Sequence, residues 1–517
     1  MARACFALAI LLPLGAASAA VNEPVHLDTG LVSGVAGKDA AVRVFKGLPF
    51  AAPPVANLRW AAPKPAAHWD GVRQAGEFGS ICMQGQPGGR GRGGAAPARM
   101  SEDCLYLNVW TAAQSAGDKR PVLVWFHPGG FTGGSGSSPA TDGEALAKKG
   151  LIVVTMNYRL GVFGFFAHPE LTQESDRHAS GNYGLMDQIA ALQWVQKNIA
   201  AFGGDPKRVT IDGDSAGAMS VGDLVASPLA KGLFQRAIAE SGSYLGLSVT
   251  PMRTLADAEQ AGKKSAEAIG ASTLSDLRAR PADEILGKLR AAGNVIVDGW
   301  LLPENPAGLF SQGKQNDVPL LVGSNKDEGT FFVRGGTADQ FLEQSRRRFG
   351  DLTDTFLKLY PAGSDEEALA SRLAAFRDEL GFVMRKWAQV QTKTAKSKAY
   401  LYYFTHEPPA GGGASPRGGF ASGATHGAEA QYVFENLLGD RSWTALDRQL
   451  ADTISSYWVN FAATGDPNGK SVPRWPAYNG NNSVRPMVLG DQVEVGAPPN
   501  PSQLAFYEAL YAKVTSR

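Results

Sequence analysis

Gly213-Asp214-Ser215-Ala216-Gly217 sets a serine between two glycines, directly after the apolar run Val209-Thr210-Ile211. A G-x-S-x-G segment between a strand and a helix forms a nucleophile elbow. Such a turn holds serine in a strained backbone conformation, so that the hydroxyl projects above the sheet. The residues two before and two after come too close to neighbouring backbone for a side chain, so both are Gly. The following helix offers its N-terminal amides to developing negative charge. Gly and Ser are common in loops, and an ordinary turn could carry the same letters. The preceding strand gives Ser215 its weight as a nucleophile.

Serine needs a base, and histidine is the usual one near neutral pH. The chain order that accompanies this elbow is Ser, acid, His. Of seven histidines, only His406 and His426 lie far enough along. His406 ends an apolar run before Glu407-Pro408-Pro409 and reads as a turn residue. His426 lies among small residues, Gly423-Ala424-Thr425-His426-Gly427, with room for a mobile imidazole, and is the better base. The acid should follow a strand between Ser215 and His426. Pro319 to Val322 leads into Gly323-Ser324-Asn325-Lys326-Asp327-Glu328-Gly329, where Asp327 and Glu328 both qualify and spacing does not separate them.

His127-Pro128-Gly129-Gly130-Phe131 follows the apolar run Val122 to Phe126. A Gly-rich turn there supplies backbone N–H groups to an oxyanion, together with the amide after the nucleophile, here Ala216. Each donor is worth about 3 kcal/mol in the transition state. Proline has no N–H, so Gly129 and Gly130 are the expected donors.

These groups must be carried by strands. Val122–Phe126, Leu151–Asn157, Val209–Ile211, Ala237–Glu240, Pro319–Val322 and Tyr400–Phe404 read as short, mostly continuous apolar strands, as expected when both faces are covered. Between them Leu185, Ile189, Leu192 and Ile199 recur at helical spacing. This alternation predicts an α/β fold with a largely parallel, doubly wound sheet. Residues 338–398, charged and helix-prone, read as a helical insertion. The chain from about residue 20 to 517, this insertion included, reads as one domain.

The 517 residues are 44% hydrophobic and 19% charged, enough for a large core. Fifty Lys plus Arg against 49 Asp plus Glu give a net charge of +1, with no basic stripe, so nucleic acid is not an expected partner. Arg3, the apolar stretch Phe6 to Leu14 and Ala17-Ser18-Ala19 read as a cleaved signal peptide over residues 1–19. The stretch is too short to span a bilayer, and no later one is long enough. Cleavage removes Cys5 and leaves Cys82 and Cys104. In an exported protein this pair reads as a disulfide, since no metal-type spacing accompanies it. It would stabilise the fold by roughly 3 kcal/mol.

Several longer segments resemble the type-B carboxylesterases, the carboxylesterase and cholinesterase family. They include Gly47-Leu48-Pro49-Phe50-Ala51, Ser101-Glu102-Asp103-Cys104-Leu105-Tyr106-Leu107-Asn108, Gly181-Asn182-Tyr183-Gly184-Leu185, Phe202-Gly203-Gly204-Asp205-Pro206 and Gly465-Asp466-Pro467-Asn468. The resemblance covers nearly the whole mature chain and implies an α/β-hydrolase fold with a helical insertion. It also implies that the acid is the Glu of Asp-Glu-Gly, Glu328, and that Cys82 pairs with Cys104. Arg59 and Glu102 would form a structural ion pair, and no metal or organic cofactor would be needed.

The sequence also departs from that pattern. Asp214 stands where the family usually has Glu, and Pro128 where it has Gly. The disulfide loop holds no Trp, which in cholinesterases binds the choline cation, so choline esters are not expected substrates. Arg90, Arg92 and Arg99 occupy that loop instead; they read as solvated charges or as attractors of anionic esters. The expected partner is a small-molecule carboxylic ester, hydrolysed through an acyl-enzyme. An interfacial lipase, an exported detoxifying esterase of a natural product and a non-catalytic adhesion protein are the rival readings. The last is disfavoured because both Ser215 and His426 are present. The sequence leaves the oligomeric state open.

Overall fold

In a computed structural model, residues 21–515 are described apart from 22, 86–98, 272, 290–293, 411–422, 440, 481–484 and 497–499. Apolar runs assemble into an eleven-stranded sheet. Its strands in chain order are β1 (Val35–Ala36), β2 (Arg43–Pro49), β3 (Tyr106–Thr111), β4 (Arg120–Phe126), β5 (Ile152–Met156), β6 (Gly204–Asp214), β7 (Arg236–Glu240), β8 (Leu320–Asn325), β9 (Ala399–Phe404), β10 (Met487–Leu489) and β11 (Val493–Val495). In space the order is β11-β10-β9-β8-β7-β6-β4-β5-β3-β2-β1. The pairs from β5 through β4 and β6 to β10 are parallel, and the pairs at both edges are antiparallel. The six strands expected from the sequence are β4 to β9. The fold is that of an α/β-hydrolase.

Alternation along each strand divides the core in two. Val122, Val124 and Phe126 of β4 join Val209 and Ile211 of β6 on one face. Leu123 and Trp125 join Ile238 and Leu321 on the other. Helices cover both faces, which is why the strands read as continuous apolar runs rather than alternating ones. On the first face lie α1 (Tyr183–Asn198) and α2 (Ala216–Ala226).

After β8 the chain forms a short helix, α3 (Gly329–Phe332). The expected helical insertion follows as α4 (Ala338–Phe349), α5 (Thr353–Leu359) and α6 (Asp365–Thr394). The second face is covered by α7 (Ala445–Thr464). Among the described residues no helix is long and apolar enough to cross a membrane.

Cys82 and Cys104 are joined in a disulfide, with Cα atoms 4.9 Å apart. Glu102 grips Arg59 with both oxygens, at 2.7 and 2.6 Å. A third guanidinium nitrogen of Arg59 donates to the carbonyl of Arg280 at 2.8 Å, so the pair ties the N-terminal part to a distant loop. The segment read as a signal peptide, and Arg90 and Arg92, lie outside the described residues; Arg99 is exposed.

Candidate active site

Three strands, β4, β6 and β8, end at one edge of the sheet, and each delivers a part of the site there. Strand β6 delivers Ser215, the N-cap of α2, with φ 58° and ψ −119°. For a residue with a Cβ this is a strained conformation. It is held by the Ser215 N–H, which donates to the Glu240 carbonyl on β7 at 2.8 Å. The flanking glycines are obligatory. A Cβ on Gly213 would lie 2.5 Å from the Gly217 backbone, and one on Gly217 would lie 2.0 Å from the Phe126 carbonyl oxygen.

Strand β4 delivers the Gly-rich turn. Gly129 and Gly130 have φ of 130° and 61°, and a Cβ on Gly129 would meet the Gly133 carbonyl at 2.0 Å. Neither N–H donates to a backbone partner among the described residues. Ala216 opens α2, so its N–H has no intrahelical acceptor. His127 braces this turn. Its Nδ1 lies 2.9 Å from the Pro128 carbonyl, and its ring stacks on Tyr158 at 4.3 Å. Burial pushes this imidazole down to about 4, which keeps it neutral.

Strand β8 leads to the two candidate acids, and geometry separates them. The Asp327 carboxylate accepts the N–H of Ala424 at 2.8 Å, and the Asp327 N–H donates to the Ala424 carbonyl at 2.9 Å. Asp327 therefore anchors the backbone of the histidine loop. Glu328 reaches the ring itself, with Oε2 2.6 Å from His426 Nδ1. Its other oxygen accepts from Ser241 Oγ at 2.6 Å and from the Asn325 N–H at 2.7 Å. The side chains of both His426 and Glu328 are buried.

His426 Nε2 is buried without a hydrogen-bond partner among the described residues, and no hydrogen bond joins it to the Ser215 hydroxyl. The histidine loop nevertheless packs on the elbow: a Cβ on Gly427 would lie 2.9 Å from an Asp214 carboxylate oxygen. Hydrogen bonds between a nucleophile and its base are often long until substrate is bound. Phe332 and Phe331 flank the imidazole at 4.6 and 5.6 Å. His406 has a different place. Its two nitrogens lie 2.6 Å from Asp491 and 2.9 Å from Asp447, so both are engaged.

Sequence reasoning missed a buried acidic layer beneath these groups. Burial pushes Asp214 up to about 7, opposed by the nearby His426. Burial, with the charges of Asp214 and Glu328, pushes Glu429 up to about 8. Glu429 accepts from Asn325 Nδ2, and it lies 3.3 Å from both Ser241 Oγ and Tyr402 Oη. For His426, burial alone would lower the pKa, but the Glu328 carboxylate outweighs it and raises it to about 9. The sequence offers only the tripeptide Glu240-Ser241-Gly242 at the end of an apolar strand, which is no motif and says nothing of Glu429; in the fold Ser241 takes a φ of 54°.

The sequence matches the Carboxylesterase family over residues 22–507. It is 38% identical to a fumonisin B1 esterase of Sphingopyxis macrogoltabida over 500 residues, 91% of this chain and 87% of that protein. Human carboxylesterase 5A is 36% identical over 484 residues, covering 86% of this chain and 81% of the other. A solved PNB esterase superposes with a TM-score of 0.80 at 32% identity, covering 93% of this chain and 99% of that one. Fold, family match and relatives agree: this chain belongs to the carboxylesterase family and is a serine hydrolase of carboxylic esters.

Proposed function

We propose that Ser215 is the nucleophile, His426 the general base and Glu328 the acid that orients it, with Gly129, Gly130 and Ala216 as the oxyanion donors. The observation that carries this reading is the 2.6 Å contact between His426 Nδ1 and Glu328 Oε2, with Nε2 left unengaged. A carboxylate on Nδ1 fixes the tautomer whose Nε2 can take the serine proton. Ser215 Oγ then attacks the ester carbonyl, and the proton passes to His426. The imidazolium, stabilised by Glu328, returns that proton to the leaving alcohol. Water activated by the same nitrogen releases the acid and regenerates the serine. Labelling by a fluorophosphonate, lost in Ser215→Ala, tests the assignment.

The substrate is proposed to be a small or medium carboxylic ester. The fumonisin B1 esterase relative favours a second reading, an exported esterase that detoxifies a natural product. A panel of esters varying in acyl length, alcohol size and charge separates the two. Export is supported by the N-terminal signal pattern and the Cys82–Cys104 disulfide. It is tested by sequencing the N-terminus of the mature protein, expected near Ala20.

A further inference from the structure

The Gly-rich turn after β4 is gripped from outside by one side chain. Gln84 Oε1 accepts the Gly134 N–H at 2.9 Å, and Gln84 Nε2 donates to the Gly134 carbonyl, also at 2.9 Å. Among the described residues neither of these Gly134 groups has a backbone partner. Nε2 donates as well to the Cys82 carbonyl at 3.1 Å, which roots the amide in the disulfide-bonded segment. The grip uses the carbonyl of Cys82 and not its sulfur, so it is separate from the cross-link itself. Gln84 is only 4% exposed. Its three bonds allow one orientation, because a flipped amide would face the Gly134 N–H with N–H groups of its own.

Gly134 passes this grip on by two routes. A Cβ on Gly134 would lie 2.3 Å from both the Pro128 carbonyl oxygen and His127 Nδ1, so its backbone presses on both groups. The Pro128 carbonyl belongs to the same planar trans peptide as the Gly129 N–H, which points the opposite way. His127 Nδ1 donates to that carbonyl at 2.9 Å, since a carbonyl only accepts. Fixing the carbonyl therefore fixes the direction of the Gly129 N–H. The second route is the peptide that joins Gly133 to Gly134. Its N–H is the one Gln84 holds, and its carbonyl is the atom that a Cβ on Gly129 would meet at 2.0 Å. Both routes end on Gly129. Asn157 braces the same turn farther along: its Oδ1 accepts the Gly136 N–H at 2.9 Å, and its Nδ2 donates to the Cys104 carbonyl at 3.1 Å. That clamp stands apart from the donors, because a Cβ on Gly136 would meet the backbone of Met156, at 2.7 Å.

We propose that Gln84 is a positioning residue for the oxyanion hole: through Gly134 it sets the direction of the Gly129 N–H, although it touches no reacting atom. The inference rests on the reading of Gly129 and Gly130 as oxyanion donors. A backbone donor stabilises the oxyanion only where it is held against the developing charge. Gly129 and Gly134, with φ of 130° and 107°, have no side chains to resist drift, so the hold must come from outside the turn. The ester carbonyl carries little charge before attack and gains less than the transition state from exact placement of a donor. Loosening the clamp therefore acts on kcat and leaves KM nearly unchanged.

The test is steady-state hydrolysis of 4-nitrophenyl butanoate by the full-length mature protein and by Gln84→Met, Gln84→Glu and Asn157→Ala. Inhibition by an alkyl trifluoromethyl ketone, whose adduct on the serine carries the oxyanion, is measured on the same samples, with thermal denaturation. Gln84→Met keeps the length of the side chain and removes the amide. Gln84→Glu keeps the acceptor for the Gly134 N–H and loses the donor to its carbonyl. The expected result in Gln84→Met is a fall in kcat of about 10–100-fold, with KM within about twofold. Binding of the ketone weakens by about the same factor as kcat, and Gln84→Glu shows the same split. Asn157→Ala lowers the thermal midpoint without these matched losses. An unchanged kcat in both Gln84 variants, a loss confined to KM, or equal kinetic and inhibitor losses in Asn157→Ala would each overturn the proposal. Fluorophosphonate labelling of the natural chain reports separately on Ser215. An adduct there with kcat unmoved in the Gln84 variants sinks this inference alone, whereas no adduct on Ser215 sinks the triad.

Discussion

The carboxylate of Asp327 holds the backbone N–H of Ala424 at 2.8 Å, while the adjacent Glu328 holds the ring of His426 at 2.6 Å. Two neighbouring acids thus divide the work of placing one histidine. Their variants should separate accordingly. Glu328→Gln is expected to lower kcat by roughly 10³–10⁴-fold with little loss of stability, because the imidazole loses its orienting charge. Asp327→Ala is expected to cost about 1–3 kcal/mol of stability through the unpaired Ala424 amide, with a smaller loss of kcat. Thermal denaturation and steady-state kinetics on both variants check this division.

The pH dependence follows from the same contact. As the proposed base, His426 acts only when neutral, so kcat/KM is expected to rise with pH as the ring loses its proton. The Glu328 carboxylate stabilises the imidazolium and moves this limb above the ordinary 6.5, toward about 9. Removing the charge in Glu328→Gln should shift the limb to lower pH while lowering its plateau. A limb that stays fixed in the variant, in a kcat/KM profile against pH, would contradict the assignment.

The elbow glycines should be intolerant. Gly217→Ala puts a methyl group 2.0 Å from the Phe126 carbonyl, and backbone on both sides must shift. Expected are a loss of roughly 1–3 kcal/mol or more and reduced fluorophosphonate labelling. Gly232→Ala serves as the control for a crowding clash, since nothing lies within 4 Å of a Cβ there. It should keep its labelling, although its φ of 83° carries some strain.

The disulfide should matter for stability rather than chemistry. Replacing Cys82 and Cys104 together by Ser is expected to cost about 3 kcal/mol while leaving Ser215 reactive. Denaturant unfolding with parallel labelling measures both.

Much of this site was legible before the fold was known, for physical reasons that also mark where legibility ended. Strands β4 to β9 are buried on both faces, so they appear as unbroken apolar runs. β2 was harder, because Gly47 and Pro49 interrupt it. Ser215 stood out because its turn requires glycines at both flanks. Asp327 and Glu328 could not be separated by spacing, since one step along the chain changes which of them faces the ring; the family resemblance favoured Glu328, and it is the Glu328 carboxylate that lies against the ring. Ser241 and Glu429 escaped notice because neither sits in a motif. They matter through parallel strand ends that only the folded sheet brings together.

The most direct measurement is peptide mapping of the site labelled by a fluorophosphonate, alongside ester hydrolysis by the same preparations. The expected result is a single adduct on the peptide containing Ser215. Both adduct and hydrolysis should be abolished in Ser215→Ala and reduced by several orders of magnitude in His426→Ala. Hydrolysis that survives Ser215→Ala, or an adduct on another residue of the folded enzyme, would contradict it.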